Sequence, residues 1–253
     1  MPQPFATSPS GRVVVLTRPA GTATSLAEHV REQGGEPLLL PGMSLQESLD
    51  PVESRERLMQ ALDDEIVIFT SPAAVHFAAQ LMPLRATATV LAVGQGTATS
   101  LRKQGIENPQ APARQDSEGL LDHPALQALH GRRVALIGAA GGRALLRETL
   151  AARGADLREV HVYQRLPPQL TDHQINAVQG LTPGARVMWS SVEALHNLRA
   201  ALPSAAWAHL CSAVAVVSSD RLAGVVRAAG FARISVAASA LSADLLATAM
   251  SPD

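Results

Sequence analysis

One cysteine, one lysine and one tyrosine are all that the 253-residue chain holds of those three types. Cys211 therefore has no partner for an internal disulfide, and no second thiol supplies metal-ligand spacing. It reads as a small buried hydrophobe rather than a nucleophile. Schiff-base chemistry would have to rest on Lys103 alone, which falls on a polar helix face. Aromatic residues are only 3% of the chain, so its cores must be built from Leu, Val, Ile and Ala. That small-aliphatic composition suits parallel sheets covered by helices. No apolar run reaches ~18–20 residues, so no membrane-spanning helix is expected. The opening MPQPFATSPSG has neither the basic start nor the apolar stretch of a secretory signal. Net charge is -1 and the arginines are dispersed, which argues against nucleic acid as the partner. A cytoplasmic enzyme or binding protein is the default expectation.

Familiar chemical signatures are missing as well. The eight histidines are scattered without metal-binding spacing, so no metal site is expected. No G-x-S-x-G elbow appears. Gly94-Gln95-Gly96 meets Thr99 where a dinucleotide fingerprint needs glycine, and GAAGGR at Gly138 to Arg143 lacks the Lys-Ser/Thr of a P-loop. Asp63-Asp64-Glu65 reads as a solvated turn before a buried strand.

What the chain does have is repetition. IFTSP at Ile68 to Pro72 and MWSSV at Met188 to Val192 each write an apolar strand, small hydroxyl residues and a helix start. Thr70 to Ser190 and Ser71 to Ser191 are both 120 positions. The same offset carries the strand in RVVVLTRP, Arg12 to Pro19, onto a strand at Arg133 to Ile137, and Leu26, Val30 and Gly34 onto Leu146, Leu150 and Gly154. Farther on the offset grows: VLAVG at Val90 matches VAVVS at Val214, and SEGLL at Ser117 matches SADLL at Ser242. Five consecutive elements in register indicate an internal duplication of an α/β unit. Alternating strand and helix signals, with strands apolar along their whole length, predict parallel, doubly covered sheets.

Short strands followed at once by small residues and then a helix put those residues at the carboxyl edge, where open α/β sheets bind ligands. The junctions are Thr17-Arg18-Pro19, Thr70-Ser71-Pro72, Gly94 to Thr97, Gly138 to Arg143, Ser190-Ser191 and Ser218 to Arg221, with Ser117 and Ser242 as further helix-start serines. Capping is the plainer role of any single one. Their number, on two edges that would face each other, predicts a cleft for a ligand rich in carboxylates or phosphates. Tyr163 stands apart at the end of a strand. A phenol can give a proton to a departing hydroxyl or bond a developing charge. Strand alternation predicts that His161 points the same way.

These motifs, in this order, resemble the uroporphyrinogen-III synthase family. They are Thr17-Arg18-Pro19, Thr70-Ser71-Pro72, Val93 to Ala98 (V-G-x-x-T-A), Ser117 to Leu121 (S-E-x-L-L), Gly141-Gly142-Arg143, Arg153-Gly154-Ala155 and Val162 to Arg165 (V-Y-x-R). The likeness runs from Arg12 to the C-terminus. It implies two flavodoxin-like α/β domains, each borrowing from both repeats: residues 1–37 with 168–253, and residues 45–160. Residues 38–44 and 161–167 would be antiparallel linker strands. The implied reaction is cyclisation of hydroxymethylbilane, a linear tetrapyrrole with many carboxylates, with inversion of ring D through a spiro intermediate. It needs no cofactor and no metal, and a monomer is expected. Tyr163 matches the family tyrosine that assists hydroxyl departure. Ser71, Thr97, Ser117, Gly142 and Ser191 match cleft-lining positions. With the other junction residues, the expected substrate contacts are Arg18, Thr70, Ser71, Gly94, Thr97, Ser117, Gly141, Gly142, Arg143, Ser190, Ser191, Ser219 and Arg221. The chain departs from the family pattern at Gly138, where arginine is common, and at Ser218-Ser219-Asp220-Arg221. Two other readings stay open: an inactive binding or regulatory module of the same fold, and a nucleotide-dependent transferase, which the glycine pattern disfavours.

Overall fold

A computed structural model describes residues 12–142, 144–189 and 191–252; Arg143 and Ser190 lie outside them. The chain begins with β1 (Val13–Leu16), α1 (Thr24–Glu32) and β2 (Glu36–Leu39). A middle stretch holds β3 (Ser44–Glu47), α2 (Pro51–Leu62), β4 (Ile66–Phe69), α3 (Pro72–Leu81), β5 (Thr89–Ala92), α4 (Gln95–Lys103), α5 (Ser117–Leu121), β6 (Arg133–Ala139), α6 (Ala144–Ala152) and β7 (Asp156–Leu166). The remainder is α7 (Asp172–Gln179), β8 (Arg186–Met188), α8 (Val192–Ala201), α9 (Ser204–Ser212), β9 (Val214–Val217), α10 (Asp220–Ala228), β10 (Arg233–Val236) and α11 (Ser242–Met250). Among the described residues no helix is long and apolar enough to cross a membrane.

Two compact units result. The first joins the chain up to Ser44 with Leu166 onward, and the second is Leu45–Arg165. Each is built on a five-stranded sheet, ordered β10-β9-β8-β1-β2 in the first and β3-β7-β6-β4-β5 in the second. Under the 120-residue offset β1 corresponds to β6, β2 to β7 and β8 to β4, while β9 corresponds to β5. The shared order is then β9-β8-β1-β2 against β5-β4-β6-β7. Even the outer strand β10 has a remnant in the second unit, a single parallel bridge between Leu91 and Gln110. The duplication seen in sequence is thus a duplication of topology, entered at a different strand in each unit.

The central strands are buried on both faces, and alternation divides each sheet into two apolar clusters. In the first unit Val15, Val187, Ala215 and Val217 share one cluster, and Val14, Leu16, Met188 and Val216 the other. In the second, Val67, Phe69, Ala135 and Ile137 oppose Ile66, Ile68, Val134 and Leu136. The scarce aromatics are concentrated: Trp189, Trp207 and Phe231 meet edge-on or tilted, with centroids 5.6–6.3 Å apart, in one cluster of the first unit. Gly34 and Gly154, equivalent under the offset, both take positive φ (78° and 81°) where a helix turns into the next strand.

Two expectations need correction. Of residues 38–44, taken as one linker strand, only Leu38, Leu39 and Ser44 lie in strands, whereas residues 161–166 of the other are all part of a sheet strand. Leu38 and Leu39 end β2, which pairs in parallel with β1, and residues 161–166 end β7. β2 tolerates Pro37 because it is an edge strand. The strand that neighbours β7 on its outer side is β3, which starts only at Ser44. Nor is Asp63-Asp64-Glu65 simply solvated. Asp64 is 3% exposed and accepts from Arg158 Nε at 2.9 Å, with Arg133 Nε at 3.4 Å. Glu65 accepts from the Arg133 backbone N–H at 3.0 Å and from Arg132 Nε at 3.2 Å. The arginines come from two neighbouring strands and the turn before one of them, so nothing local signalled that these carboxylates were matched.

Candidate functional site

In the second unit, Thr70 and Ser71 leave the end of β4, and Ala140 to Gly142 leave the end of β6 beside it. Thr70 is 7% exposed, and its hydroxyl donates to the Ile137 carbonyl of β6 at 3.0 Å. Its side chain is committed to tying two central strands together, which corrects the expectation of a free substrate contact. A Cβ at Gly138 would sit 2.4 Å from Thr70 Oγ1, so glycine is required there by packing. The first unit has a counterpart: Thr17 Oγ1, fully buried at the end of β1, donates to the Met188 carbonyl of β8 at 2.7 Å.

Ser71 begins α3 as its N-cap, accepting the Ala74 N–H at 3.0 Å. Such a cap stabilises a helix by about 1 kcal/mol. Its oxygen also lies 3.3 Å from Tyr163 Oη. The tyrosine ring stacks on Phe77 of α3 at 5.3 Å between centroids, 12° from parallel. Tyr163 reaches this position through a register shift. β7 pairs Gly138 with His161 but Ala139 with Tyr163, which leaves Val162 of β7 as an extra residue opposite that step. Val162 and Tyr163 therefore both join the cluster that holds Val160, while the His161 side chain is 45% exposed. Strict alternation, which predicts that His161 and Tyr163 point the same way, does not survive the bulge. Both nevertheless line one surface pocket with Ser48, Asp50, Ser54 and Gln164.

Of the remaining positions of this unit, Thr97 and Ser117 are buried, whereas Gly141 is exposed. Gly94 is the N-cap of α4, but the Gln115 side chain lies against it and accepts the Gln95 N–H at 3.0 Å. Thr97 is buried within the same helix. Ser117 is the first residue of α5 rather than its cap. Asp116 caps it, accepting the Gly119 N–H at 2.7 Å, and Arg114 bridges Asp116 to Glu118. Gly141 has φ 69° in the turn after β6, and Gly142 closes that turn onto the Ala139 carbonyl. Arg165, the last residue of V-Y-x-R, reaches the Ala140 carbonyl of the same turn at 3.4 Å. Gln115, Phe77 and Arg165 escaped the sequence reading as site residues, although Arg165 belonged to a motif already noted.

In the first unit the carboxyl edge carries Arg18 at the end of β1. Arg18 Nη2 donates to Ser242 Oγ, at the start of α11, at 2.6 Å. Burial pushes the guanidinium below its ordinary pKa, and among the described residues no carboxylate pairs with it. Arg18 lines a pocket with Thr17, Met188, Trp189, Ser218 and Leu245, at the sheet's switch point between β1 and β8. A desolvated cation without a counter-ion there is suited to a carboxylate. Ser191 and Ser219 are N-caps of α8 and α10, accepting from Ala194 and Leu222 N–H at 3.1 and 3.3 Å. Their backbone angles nearly repeat those of Ser71. Arg221 is exposed on α10. Nothing is described for Arg143 and Ser190.

A family model for uroporphyrinogen-III synthase (HemD) matches residues 24–247. The uroporphyrinogen-III synthase of Salmonella typhimurium is 31% identical to the chain over 232 residues, covering 88% of this chain and 94% of its own length. That of Escherichia coli is 30% identical over 240 residues, with the same shares. Among solved structures, a mutant uroporphyrinogen III synthase from Thermus thermophilus aligns with a TM-score of 0.59 at 19% identity, covering 93% of this chain and 96% of that one. A uroporphyrinogen-III synthetase from Helicobacter pylori gives 0.57 at 16% identity, with the same coverage. At such identities these two speak for the fold: two mostly parallel sheets with helices on both sides, as the strand patterns predicted.

Proposed function

From the premise that the chain belongs to the uroporphyrinogen-III synthase family, an enzyme family of porphyrin biosynthesis, we propose that it cyclises hydroxymethylbilane to uroporphyrinogen III with inversion of ring D. The C–O bond of the terminal hydroxymethyl group breaks, and its oxygen takes a proton from Tyr163 and leaves as water. The pyrrole nitrogen's electron pair fills the gap, giving an azafulvene-type cation. Attack on it by the substituted carbon of ring D forms the spiro intermediate, which fragments and recloses at the free position. The carbon at that free position then loses its hydrogen as a proton while ring D regains aromaticity, and this proton, passed directly or through solvent, restores the one Tyr163 gave. The rest of the catalysis is positioning of a flexible chain, for which effective concentrations are large.

The single observation that carries this reading is a buried phenol, the only one in the chain, at the carboxyl edge of a sheet and within reach of a serine hydroxyl. Arg18 supplies the best-supported carboxylate contact, a half-buried guanidinium in a pocket. Ser191, Ser219 and Arg221 in the first unit, and Gly94, Thr97, Ser117, Gly141 and Gly142 in the second, are the further proposed contacts, while Ser71 stands beside Tyr163. The enzyme works as a cytoplasmic monomer, without a cofactor. Gly138 has a packing reason of its own, so that departure from the family pattern does not favour an inactive module. The test is to incubate the chain with freshly generated hydroxymethylbilane, oxidise the products and separate the isomers. Isomer III in excess is the expected result; isomer I alone overturns the proposal.

A further inference from the structure

Tyr163 is held from two sides by one helix. α3 offers Phe77 as a stacking face and Ser71, its N-cap, as a hydroxyl 3.3 Å from the phenol oxygen. A serine hydroxyl has one proton to donate and two lone pairs. The Ala74 N–H occupies one lone pair of Ser71 at 3.0 Å. That bond draws electron density from the oxygen, and the first turn of α3 adds its positive partial charge. The Ser71 proton is thereby made a better donor, and the oxygen available to receive it is Tyr163 Oη.

We propose that Ser71 is a positioning residue for Tyr163: its O–H donates to the phenol oxygen, which turns the phenol's own proton outward to the departing hydroxyl. As that proton leaves, the same Ser71 O–H bonds the phenolate that forms, so the contact strengthens along the reaction. This rests on the proton-donor reading of Tyr163 given above. The arrangement is not a by-product of helix capping. Ser191 caps α8 with nearly the same backbone angles, φ -165° and ψ 160° against φ -165° and ψ 162° for Ser71. The position that the 120-residue offset pairs with Tyr163 is Met43, a buried side chain with no proton to give. Only the copy that carries the phenol uses its cap in this way.

Glycine caps a helix almost as well as serine, whereas threonine keeps the hydroxyl. The test therefore compares Ser71→Gly, Ser71→Thr, Tyr163→Phe and the Ser71→Gly/Tyr163→Phe double variant, by kcat, KM and Tm for formation of isomer III. Ser71→Gly is expected to keep its Tm within about 2 °C, to hold KM within about twofold, and to lose roughly 10- to 100-fold in kcat. Ser71→Thr should recover most of that loss. The double variant should be no more than about twofold slower than Tyr163→Phe alone, because the serine acts only through the phenol. Wild-type kcat in Ser71→Gly, a change confined to KM, or losses that multiply in the double variant would each overturn the inference. Unchanged kcat in Tyr163→Phe would instead remove the tyrosine from the reaction, and the premise with it.

Discussion

Adding one methyl group at Gly138 should loosen the centre of the second unit. An ideal Cβ there lies 2.4 Å from Thr70 Oγ1 and 3.4 Å from the Thr70 Cβ and Cγ2. Carbon and oxygen in contact normally stay ~3.3 Å or more apart, so the overlap is close to 1 Å. Thr70 is 7% exposed, and its hydroxyl spans to the Ile137 carbonyl at 3.0 Å. Two responses are open. The hydroxyl can rotate away, which leaves buried polar groups unpaired at about 1–3 kcal/mol. Alternatively β4 and β6 can move apart, an overpacking strain of similar size, ~1–3 kcal/mol. Gly138→Ala should therefore destabilise by about 1–3 kcal/mol, a fall in Tm of roughly 2–12 °C for a chain of this size. Thermal unfolding followed by circular dichroism measures it. Thr70→Ala removes the oxygen that is struck, and alone should cost about 1–2 kcal/mol for the lost bond. Combined with Gly138→Ala it should cost less than the two added together, by at least ~1 kcal/mol. A Gly138→Ala protein within ~0.5 kcal/mol of wild type, or a strictly additive pair, would refute the packing argument.

Two further outcomes follow from charged groups on the two units. Arg18→Gln removes the half-buried guanidinium, together with its bond to Ser242, but keeps a polar side chain. If Arg18 holds a substrate carboxylate, steady-state kinetics should show KM rising about 10- to 100-fold with kcat little changed, the size of a charge-assisted hydrogen bond; an unaltered KM would remove Arg18 from the substrate contacts. The second outcome concerns Glu65, whose carboxyl is held below its ordinary value of 4.5 by the Arg133 backbone N–H and then by Arg132. A lowered folded value means stability that is present above 4.5 and lost as pH falls through the folded value. Glu65→Gln should therefore narrow its stability deficit against wild type as the buffer is taken from pH ~7 towards pH ~3. Parallel Tm-against-pH curves for the two proteins would contradict the linkage.

Much of the fold was legible because its signals are local and periodic. Central strands such as β1, β4 and β9 are apolar throughout, the helices carry Leu26 and Val30 or Leu146 and Leu150 at helical spacing, and glycine ends α1 and α6 at equivalent places. The caps Ser71, Ser191 and Ser219 were readable for the same reason, since a cap bonds an N–H only three residues ahead. Ser117 shows the limit of that local reading. A small hydroxyl at a helix start looked like a cap, yet the preceding Asp116 took the role.

By itself, then, the order of residues determined the repeated α/β plan, the carboxyl-edge junctions and the candidate phenol, because each is written within a few turns of chain. Tertiary structure decided what those groups do. Thr70 became a tie between strands only because Ile137, 67 residues away, ends the neighbouring strand. Asp64 became a buried anion only because Arg133 and Arg158 arrive from β6 and β7. Tyr163 faces Ser71, 92 residues distant, because a single extra residue in β7 turns it against the strand's alternation. A period of two predicts a side chain's face only while the ladder stays in register, and nothing short of the neighbouring strand sets where the register slips.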